Sequence, residues 1–334
     1  MSLTDDLTVA APASAQADPG VRRGASARGI LRWGIRAVGV LWAGVTLAFF
    51  ALRVIPGDPI QVILGPGSQA TPERIAALQA QFGLDRSLPM QYLSYLGGLL
   101  HGDLGISYRL KQPVAGIILE QLPSSIVLTV ASISVAWVLA VLSCLLTAGR
   151  SATAERAGRT AEAVTASLPD FWLGLLLLGA FGFGLHWLPS SGGKGFAALI
   201  MPTLTIAIPL AGFLAQTMRQ SFDETLDLPF VLAARARGVG ELTLRAQRVL
   251  RHAAAASLAL TGWAVGWVIS SSVAVEVIFA RQGIGELLVR AVGSRDYPLV
   301  LGLVLAVAVI YVVITPVVDF GLRLLDPRLR EQLS

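Results

Sequence analysis

The sequence has little charge, one cysteine and three histidines, and each of these shortages excludes a class of site. Charged residues make up 14% of the 334 residues, whereas an ordinary soluble domain carries about 25%. Cys144 lies inside an apolar run, so neither a disulfide within the chain nor a cysteine metal cluster can form. His101, His186 and His252 lack the paired spacing of a metal site, and no metalloprotease or serine-elbow motif occurs. We therefore predict neither a metal site nor a catalytic site in this chain.

Apolar sequence is abundant instead, and it is gathered into runs as long as a bilayer is thick. Hydrophobic residues make up 54% of the chain. About 20 residues of α-helix cross the ~30 Å hydrocarbon core of a bilayer. Runs of this length lie at 30–55, 122–148, 163–187, 196–218, 253–279 and 298–322. We predict an all-α polytopic membrane protein with six transmembrane helices, in which helices two to four occupy 122–218 and helices five and six occupy 253–322.

The basic residues predict the orientation of these helices. With both termini in the cytoplasm, 17 of the 26 basic residues lie on the cytoplasmic side, as the positive-inside rule requires. The formal charge of +5 then reflects topology and not nucleic-acid binding. Residues 1–29 contain acidic residues where a signal peptide would be basic, and we predict a disordered cytoplasmic tail there. Residues 323–334 form a second cytoplasmic tail in this prediction.

The long segment 56–121, called the cap below, is predicted to be a small helical unit outside the cytoplasm. Thr71 followed by Pro72 is typical of a helix start, and Gly83 is a suitable end for that helix. Apolar residues recur with helical spacing again over 92–99. The cap could bind a ligand or serve only as a structural lid, and the sequence leaves both possibilities open.

The loop 219–252 is the most informative segment for function. It is predicted to lie in the cytoplasm and to form two helices around a glycine. Asp227 is a suitable N-cap for the first helix, and Gly238 stands where a left-handed residue would end it. The second helix would begin near Glu241 and run into the fifth span.

The first helix of this loop has two interpretations. It could be an amphipathic helix that lies on anionic lipid. Alternatively, the small residues Ala233 and Ala234 could enter a groove on a cytoplasmic motor, while Arg235 and Arg237 bind acidic residues at its rim.

Three acidic residues lie within the apolar runs: Asp319 lies near the inner end of the sixth run, and Asp170 and Glu276 are candidates for function. Asp170 follows Pro169 in the third run and is a candidate for a side chain that faces a cavity. Glu276 lies near the outer end of the fifth run, as a possible outer-gate or folding residue. A charge in the bilayer costs about 2.5–3.5 kcal/mol at mid-span and less toward the ends, which favours snorkelling or a local partner for Glu276.

Short motifs follow one another in a fixed order along residues 30–330. They are LRVIPGDP at 52–59, FGLDR at 82–86, GDLG at 102–105, LPDFWLG at 168–174, AARARG at 233–238, EVIF at 276–279, GIG at 283–285, RDYP at 295–298 and LDPR at 325–328. In this order they resemble the first-permease type of the dipeptide, oligopeptide and nickel importers of the ATP-binding-cassette class. The match departs from the family in the loop, where Arg251 and His252 come 14 residues after Gly238, about one helical turn later than usual.

The resemblance implies a type I importer permease in the plasma membrane of a bacterium. It implies a similar second permease, two cytoplasmic ATPases that carry ATP and magnesium, and an extracytoplasmic solute-binding protein. This chain would be a non-catalytic subunit without a cofactor of its own, and 219–252 would couple it to the ATPases. A secondary transporter or channel that acts without ATPases is the alternative. The solute stays open among dipeptides, oligopeptides, metal chelates and glutathione-like compounds.

Overall fold

A computed structural model describes residues 27–54, 59–65, 68, 70–193 and 195–325, and these residues are almost entirely helical. The α-helices among them are α1 (Ala27–Val54), α2 (Pro59–Leu64), α3 (Pro72–Gln81), α4 (Leu88–Leu100), α5 (Val114–Thr147), α6 (Ala152–Ser167), α7 (Asp170–Leu177), α8 (Ala197–Leu226), α9 (Pro229–Ala236), α10 (Glu241–Leu244), α11 (Leu250–Ala259), α12 (Thr261–Ile278), α13 (Ile284–Gly293) and α14 (Tyr297–Leu325). Two π-helical segments, Leu178–Gly184 and Arg245–Val249, interrupt this series. Most of the two predicted tails lies outside the described residues. Residues 27–40 form a unit by themselves, the first part of α1.

Among the described residues, five helices are long and apolar enough to cross a membrane, and a bent pair of helices makes a sixth span if the two are counted as one. The five lie in α1, α5, α8, α12 and α14, at Leu31–Val54, Val114–Thr147, Ala197–Leu226, Thr261–Ile278 and Tyr297–Ile314. The predicted all-α architecture is therefore confirmed, with five or six spans. Large apolar side chains along these helices, such as Leu47, Val130 and Leu146, are exposed, as lipid-facing residues would be.

The predicted third span, 163–187, is not one straight helix. α6 begins earlier, at Ala152, and α7 turns away from it by 98°. Leu168 has an extended backbone because it precedes Pro169, whose ring disfavours a helical conformation in the residue before it. The proline thus ends α6, and the chain restarts as α7 in a new direction.

α8 lies at the centre of the larger apolar core. It packs against α5, α6, α7, α11 and α12. Ile206, Leu210 and Leu214 in α8 are completely or almost completely buried. Pro202 and Pro209 are buried within α8, and the helix continues through both. Neighbouring helices and side chains allow such prolines in membrane spans.

The cap contains three helices, of which α3 follows the sequence prediction closely. Thr71 Oγ1 accepts a hydrogen bond from Arg74 N at 3.4 Å, and Pro72 occupies the first helical position. Gly83 follows α3 with φ +64°, the left-handed conformation expected there. The prediction for this helix is confirmed at both ends.

A buried carboxylate fastens the cap to the start of α14. Asp296 is fully buried, and its oxygens accept hydrogen bonds from Ser107 Oγ at 2.5 Å, Tyr108 N at 3.0 Å and Arg109 N at 3.1 Å. It also accepts a longer bond, 3.4 Å, from Leu299 N in the first turn of α14. One side chain therefore caps a helix and holds a loop that lies almost 190 residues earlier in the sequence.

Candidate functional site

The first helix of the 219–252 loop begins one residue later than predicted. Asp227 has helical dihedral angles and ends α8, so the prediction that its side chain caps the next helix is wrong. The N-cap of α9 is Leu228, which has an extended backbone and makes no capping bond with its side chain. Pro229 explains the difference, because proline suits the first helical position and forces the preceding residue to be extended.

The glycine turn after α9 agrees with the prediction. Gly238 has φ +76°, and its N–H group donates a hydrogen bond to Arg235 O at 2.9 Å. The next N–H, that of Val239, reaches Ala234 O at 3.2 Å. A methyl group at Gly238 would meet no atom within 4 Å. Glycine is therefore favoured here by its backbone conformation and not by lack of space.

Ala233 and Ala234, adjacent in α9, lie on different faces of the helix. Ala234 and Val231 are fully buried in the core of this chain, so Ala234 cannot enter a groove on a partner as predicted. Ala233 is exposed. We call the exposed side of the loop the α9 outer face; it consists of Leu232, Ala233, Ala236 and Arg237. Leu232 is 71% exposed, although leucine is a residue that usually packs against something.

Arg235 has a partner within the loop. Its Nε lies 2.7 Å from Glu241 Oε1, so the pair spans the turn at Gly238. The hydrogen bond from Arg235 lowers the pKa of Glu241, and the same bond raises the pKa of Arg235. Arg235 was predicted to bind an acidic partner on the motor, but this internal pair already occupies it. Arg237 makes no side-chain bond to any residue that the structure describes.

Arg245 connects the loop to the end of α5, a role that was not predicted from the sequence. Its side chain is almost fully buried. Nη2 donates to Gly149 O at 2.8 Å, and Nε lies 3.4 Å from Glu241 Oε2. A cation suits the C-terminal end of a helix, where carbonyl groups lack partners. Arg245 also begins the π-helical segment, a form that accommodates inserted residues, and this segment lies in the stretch where the loop departs from the family spacing.

A buried ion pair joins α6 to α8 beside this loop. Arg219 Nε lies 2.7 Å from Glu162 Oε2, and Nη2 lies 2.5 Å from Oε1, which gives a bidentate pair with both side chains about 97% buried. Thr147 Oγ1 and Ser143 Oγ add hydrogen bonds to it. Removing one partner of such a pair strongly destabilises the fold, because the other charge stays buried without a counter-charge. The sequence prediction missed it, since the two residues lie 57 positions apart.

Glu276 is buried and has local partners, as one of the predicted alternatives required. Its Oε1 accepts a hydrogen bond from Ser125 Oγ at 2.6 Å. Its Oε2 accepts bonds from Gly285 N at 2.8 Å and Glu286 N at 3.1 Å, while Ser125 Oγ itself accepts from Ile284 N at 2.9 Å. Glu276 and Ser125 together therefore satisfy three N–H groups at the start of α13, and the negative charge lies where the helix dipole favours it.

Two glycines leave the space that this carboxylate needs. A methyl group at Gly283 would collide with the Glu276 carboxyl group, and one at Gly285 would lie 2.6 Å from Val273 Cα. The GIG motif at 283–285 is thus explained by the close approach of α13 to α12.

Asp170 lies elsewhere, at the bend between α6 and α7. It is half-buried and is the first residue of α7. It lines a cavity of about 300 Å³ together with Pro209, Phe213, Trp263 and other residues of α8 and α12. The expectation that Asp170 faces a cavity is confirmed, but Glu276 does not line the same cavity. Within the described ranges no cluster of metal-ligating side chains occurs.

Comparisons with known proteins cover nearly the whole chain. Residues 140–331 match the family described as binding-protein-dependent transport system inner membrane component, and residues 27–129 match the N-terminal membrane component of such systems. A peptide transport system permease protein from Brucella abortus is 32% identical over 310 residues, which cover 90% of this chain and 98% of that protein. A peptide ABC transporter permease from Sinorhizobium fredii is 31% identical, with the same coverage of both chains. A glutathione transport system permease from Salmonella choleraesuis is 32% identical over 85% of this chain and 92% of its own length.

These matches extend over the spans, the cap and the 219–252 loop together. They support an importer that works with ATPase and solute-binding partners, and they give no support to a secondary transporter or channel. The chain belongs to the family of binding-protein-dependent transport system inner membrane components and is a multi-pass, non-catalytic permease subunit of an ATP-binding-cassette importer.

Proposed function

We propose that this subunit imports peptides or related small solutes and forms half of their translocation pathway. The names of its relatives support this class of solute, since two refer to peptides and one to glutathione. A similar second permease would supply the other half of the pathway. Two ATPase subunits would bind ATP and Mg²⁺ beneath the membrane, and a solute-binding protein would deliver the solute from outside.

The α9 outer face is the proposed contact with an ATPase, and the exposure of Leu232 is the observation that carries this assignment. An apolar side chain beside small residues, with Arg237 at the edge and bound to no described side chain, has the composition of a protein interface with a charged rim. The loop is also fixed to the rest of the chain, through the buried Val231 and Ala234 and through Arg245 on α5. A force applied to α9 would therefore reach the spans.

Asp170 and Glu276 receive different proposed roles. Glu276 would hold α13 against α12 near the outer end of the span, so its part in gating would be indirect. Asp170 would lie on or beside the pathway, at the bend where α6 and α7 meet. With 219–252 facing the ATPases, both chain termini would lie in the cytoplasm.

Affinity purification of the tagged chain from its native host tests the proposed docking surface. We expect the wild-type chain to bring down a second permease and ATPase subunits. Leu232→Asp should reduce recovery of the ATPases at least tenfold, because it buries a charge in the contact. Leu100→Asp is the matched control, since Leu100 in the cap is 87% exposed, and it should recover the ATPases fully. Ala234→Asp is unsuitable, because it would disrupt the core of this chain.

Equal recovery of the ATPases with Leu232→Asp and with the control would show that α9 does not dock in this way. Transport of solute by the wild-type chain alone, in vesicles without ATPase subunits, would contradict the proposed mechanism as a whole.

A further inference from the structure

The cap contains a cavity large enough for a small solute. It has a volume of about 580 Å³, within the range of roughly 300–1,000 Å³ that is usual for ligand sites. Cap residues form most of its wall, and the outer ends of α1 and α14 complete it. We call it the cap cavity and define it by Arg53, Arg86, Tyr95, Asp103, Tyr108 and Tyr297 with their apolar neighbours. It is separate from the cavity beside Asp170 and from the α9 outer face.

Arg53 is held in a fixed position at the wall of this cavity. Its guanidinium carbon lies 3.6 Å from the centre of the Phe49 ring, and Nη2 donates to Gln91 Oε1 at 2.7 Å. A weaker bond of 3.3 Å joins Nη1 to Phe49 O. A guanidinium carries five N–H donors, so most of its donors make no bond to any described residue. A stacked guanidinium whose remaining donors bind no described residue has the right geometry for two hydrogen bonds to a carboxylate.

Tyr95 supplies a second unused donor. Its hydroxyl oxygen is buried and has no hydrogen-bond partner among the described residues. A buried hydroxyl without a partner costs free energy, so a native structure that keeps one calls for an explanation. Burial raises the pKa of Tyr95, and it raises that of Tyr108 to about 12, so both hydroxyls remain protonated and able to donate at neutral pH.

The charges that line the cavity favour an anion. The wall contains two arginines, Arg53 and Arg86, and one acidic residue, Asp103. Asp103 Oδ1 already accepts a hydrogen bond from Gly105 N at 2.8 Å. Phe82, Leu104 and other apolar residues make up much of the remaining wall. A ligand complementary to this wall has hydrogen-bond acceptors at one end and an apolar body.

We propose that the cap cavity is a binding site for a small solute that carries a carboxylate and an apolar group, such as the carboxyl end of a short peptide. Arg53 would bind the carboxylate, and the Tyr95 hydroxyl, whose oxygen is buried in the unliganded chain, would join it after the side chain moves. This site goes beyond the proposed function, because it does not depend on the ATPases or on the pathway through the spans. It also decides between the two roles that the sequence left open for the cap.

Binding of a tritiated alanyl-phenylalanine dipeptide to the full-length chain in lipid nanodiscs tests the site. We expect saturable binding, and we expect the same dipeptide with a C-terminal amide to compete at least tenfold more weakly. Tyr95→Phe should weaken binding about tenfold, as loss of a hydrogen bond to a charged group implies. Arg53→Gln should weaken it more. Arg109→Gln, which changes an exposed cap arginine outside the cavity, should bind like the wild type.

Stability measurements separate a binding role from a structural one. The Tyr95 hydroxyl has no partner within the described residues, so Tyr95→Phe should not lower the unfolding temperature of the unliganded chain. The absence of saturable dipeptide binding to the wild type would overturn the proposal. Equal binding by the wild type and Tyr95→Phe, or equal competition by the acid and the amide, would overturn it too. None of these results alters the purification test of the α9 outer face.

Discussion

Glu276 is a charged residue inside a candidate span, and its contacts explain how the bilayer tolerates it. An ionised carboxylate at mid-span costs about 2.5–3.5 kcal/mol. Here the charge lies near the end of α12, where Ser125 Oγ and two backbone N–H groups of α13 donate to it. The same contacts satisfy helix-terminal N–H groups that would otherwise lack partners in lipid. The carboxylate and α13 therefore depend on each other.

Gly285→Ala tests this dependence. The added methyl group would lie 2.6 Å from Val273 Cα and 3.0 Å from the Glu276 carboxylate, so α13 would have to move away from α12. We expect the apparent Tm of the purified chain to fall by about 5 °C, in line with the usual cost of overpacking. Cys144 is the only cysteine and is fully buried. A thiol-reactive dye will therefore report unfolding directly.

Gly293→Ala is the control for this measurement. Gly293 is in the same helix, and a methyl group there would meet no atom within 4 Å. We expect its Tm to be unchanged or about 1–3 °C higher, because alanine is the better helix former. Similar losses of Tm in the two variants would refute the close contact between α13 and α12.

The identity of such residues could be predicted from the sequence, but their partners could not. A glutamate inside an apolar run indicates a buried or interfacial charge, and Glu276 was recognised in this way. Its partner Ser125 lies 151 residues earlier, and no local pattern connects the two. The same limit concealed the pair of Glu162 and Arg219.

At the scale of the helices, the stiffness of the 219–252 loop depends on the ion pair between Arg235 and Glu241. This pair is exposed, at 41% and 54%, so it is worth at most about 1 kcal/mol. It spans the turn at Gly238 and joins α9 to Glu241, which also pairs with the buried Arg245. A modest contact of this kind would alter the mobility of the loop without unfolding the chain.

Glu241→Gln should loosen α9. We expect its backbone amides to exchange hydrogen up to about fivefold faster at pH 7, since the loss of up to about 1 kcal/mol raises the open population by that factor. Hydrogen-exchange mass spectrometry of the loop peptides will measure this. Glu286→Gln, which removes the i,i+4 pair with the exposed Arg290 in α13, should leave α9 exchange unaltered.

The difference between wild type and Glu241→Gln should also depend on pH. The pKa of Glu241 is lowered in the folded chain from its ordinary value of 4.5. The pair therefore contributes its full stability above pH 4.5 and loses it as the pH falls through the lower folded pKa. Exchange of α9 in the two proteins should converge below that point. A difference that persists unchanged in acid would mean that the ion pair is not its cause.

The sequence predicted the existence of most helices more accurately than the residues at which they begin and end. Proline and glycine signals located α3 and the end of α9 correctly, because those residues fix local dihedral angles. α13 was missed, since its ten residues lie between two longer apolar runs and give no span-length signal. A proline at 169 explains why a helix ends there, but the size of the bend, 98°, depends on packing against α8 and α12 and cannot be derived from the proline.

At the scale of the whole molecule, the cap and the 219–252 loop are predicted to lie on opposite sides of the membrane. Arg109 in the cap and Arg237 in the loop are both exposed, and either can be replaced by cysteine. Cys144 is buried and will contribute little background. In intact spheroplasts, a membrane-impermeant maleimide should label Arg109→Cys and leave Arg237→Cys unlabelled.

After solubilisation in detergent, both variants should be labelled, which confirms that the two positions are accessible. Labelling of Arg237→Cys in intact spheroplasts would invert the orientation derived from the basic residues. It would also move the α9 outer face away from any cytoplasmic ATPase.

The contacts of Glu276 have a consequence for the order in which the chain is assembled during synthesis. When α12 enters the bilayer, the residues of α13 that will bind its carboxylate have only just been made, while Ser125 has been in place for about 150 residues. Until α13 folds back, α12 carries an unsatisfied acid, which favours delay at the insertion machinery over release into lipid. We expect α12 and α13 to leave that machinery together, as one late unit, before α14 is inserted.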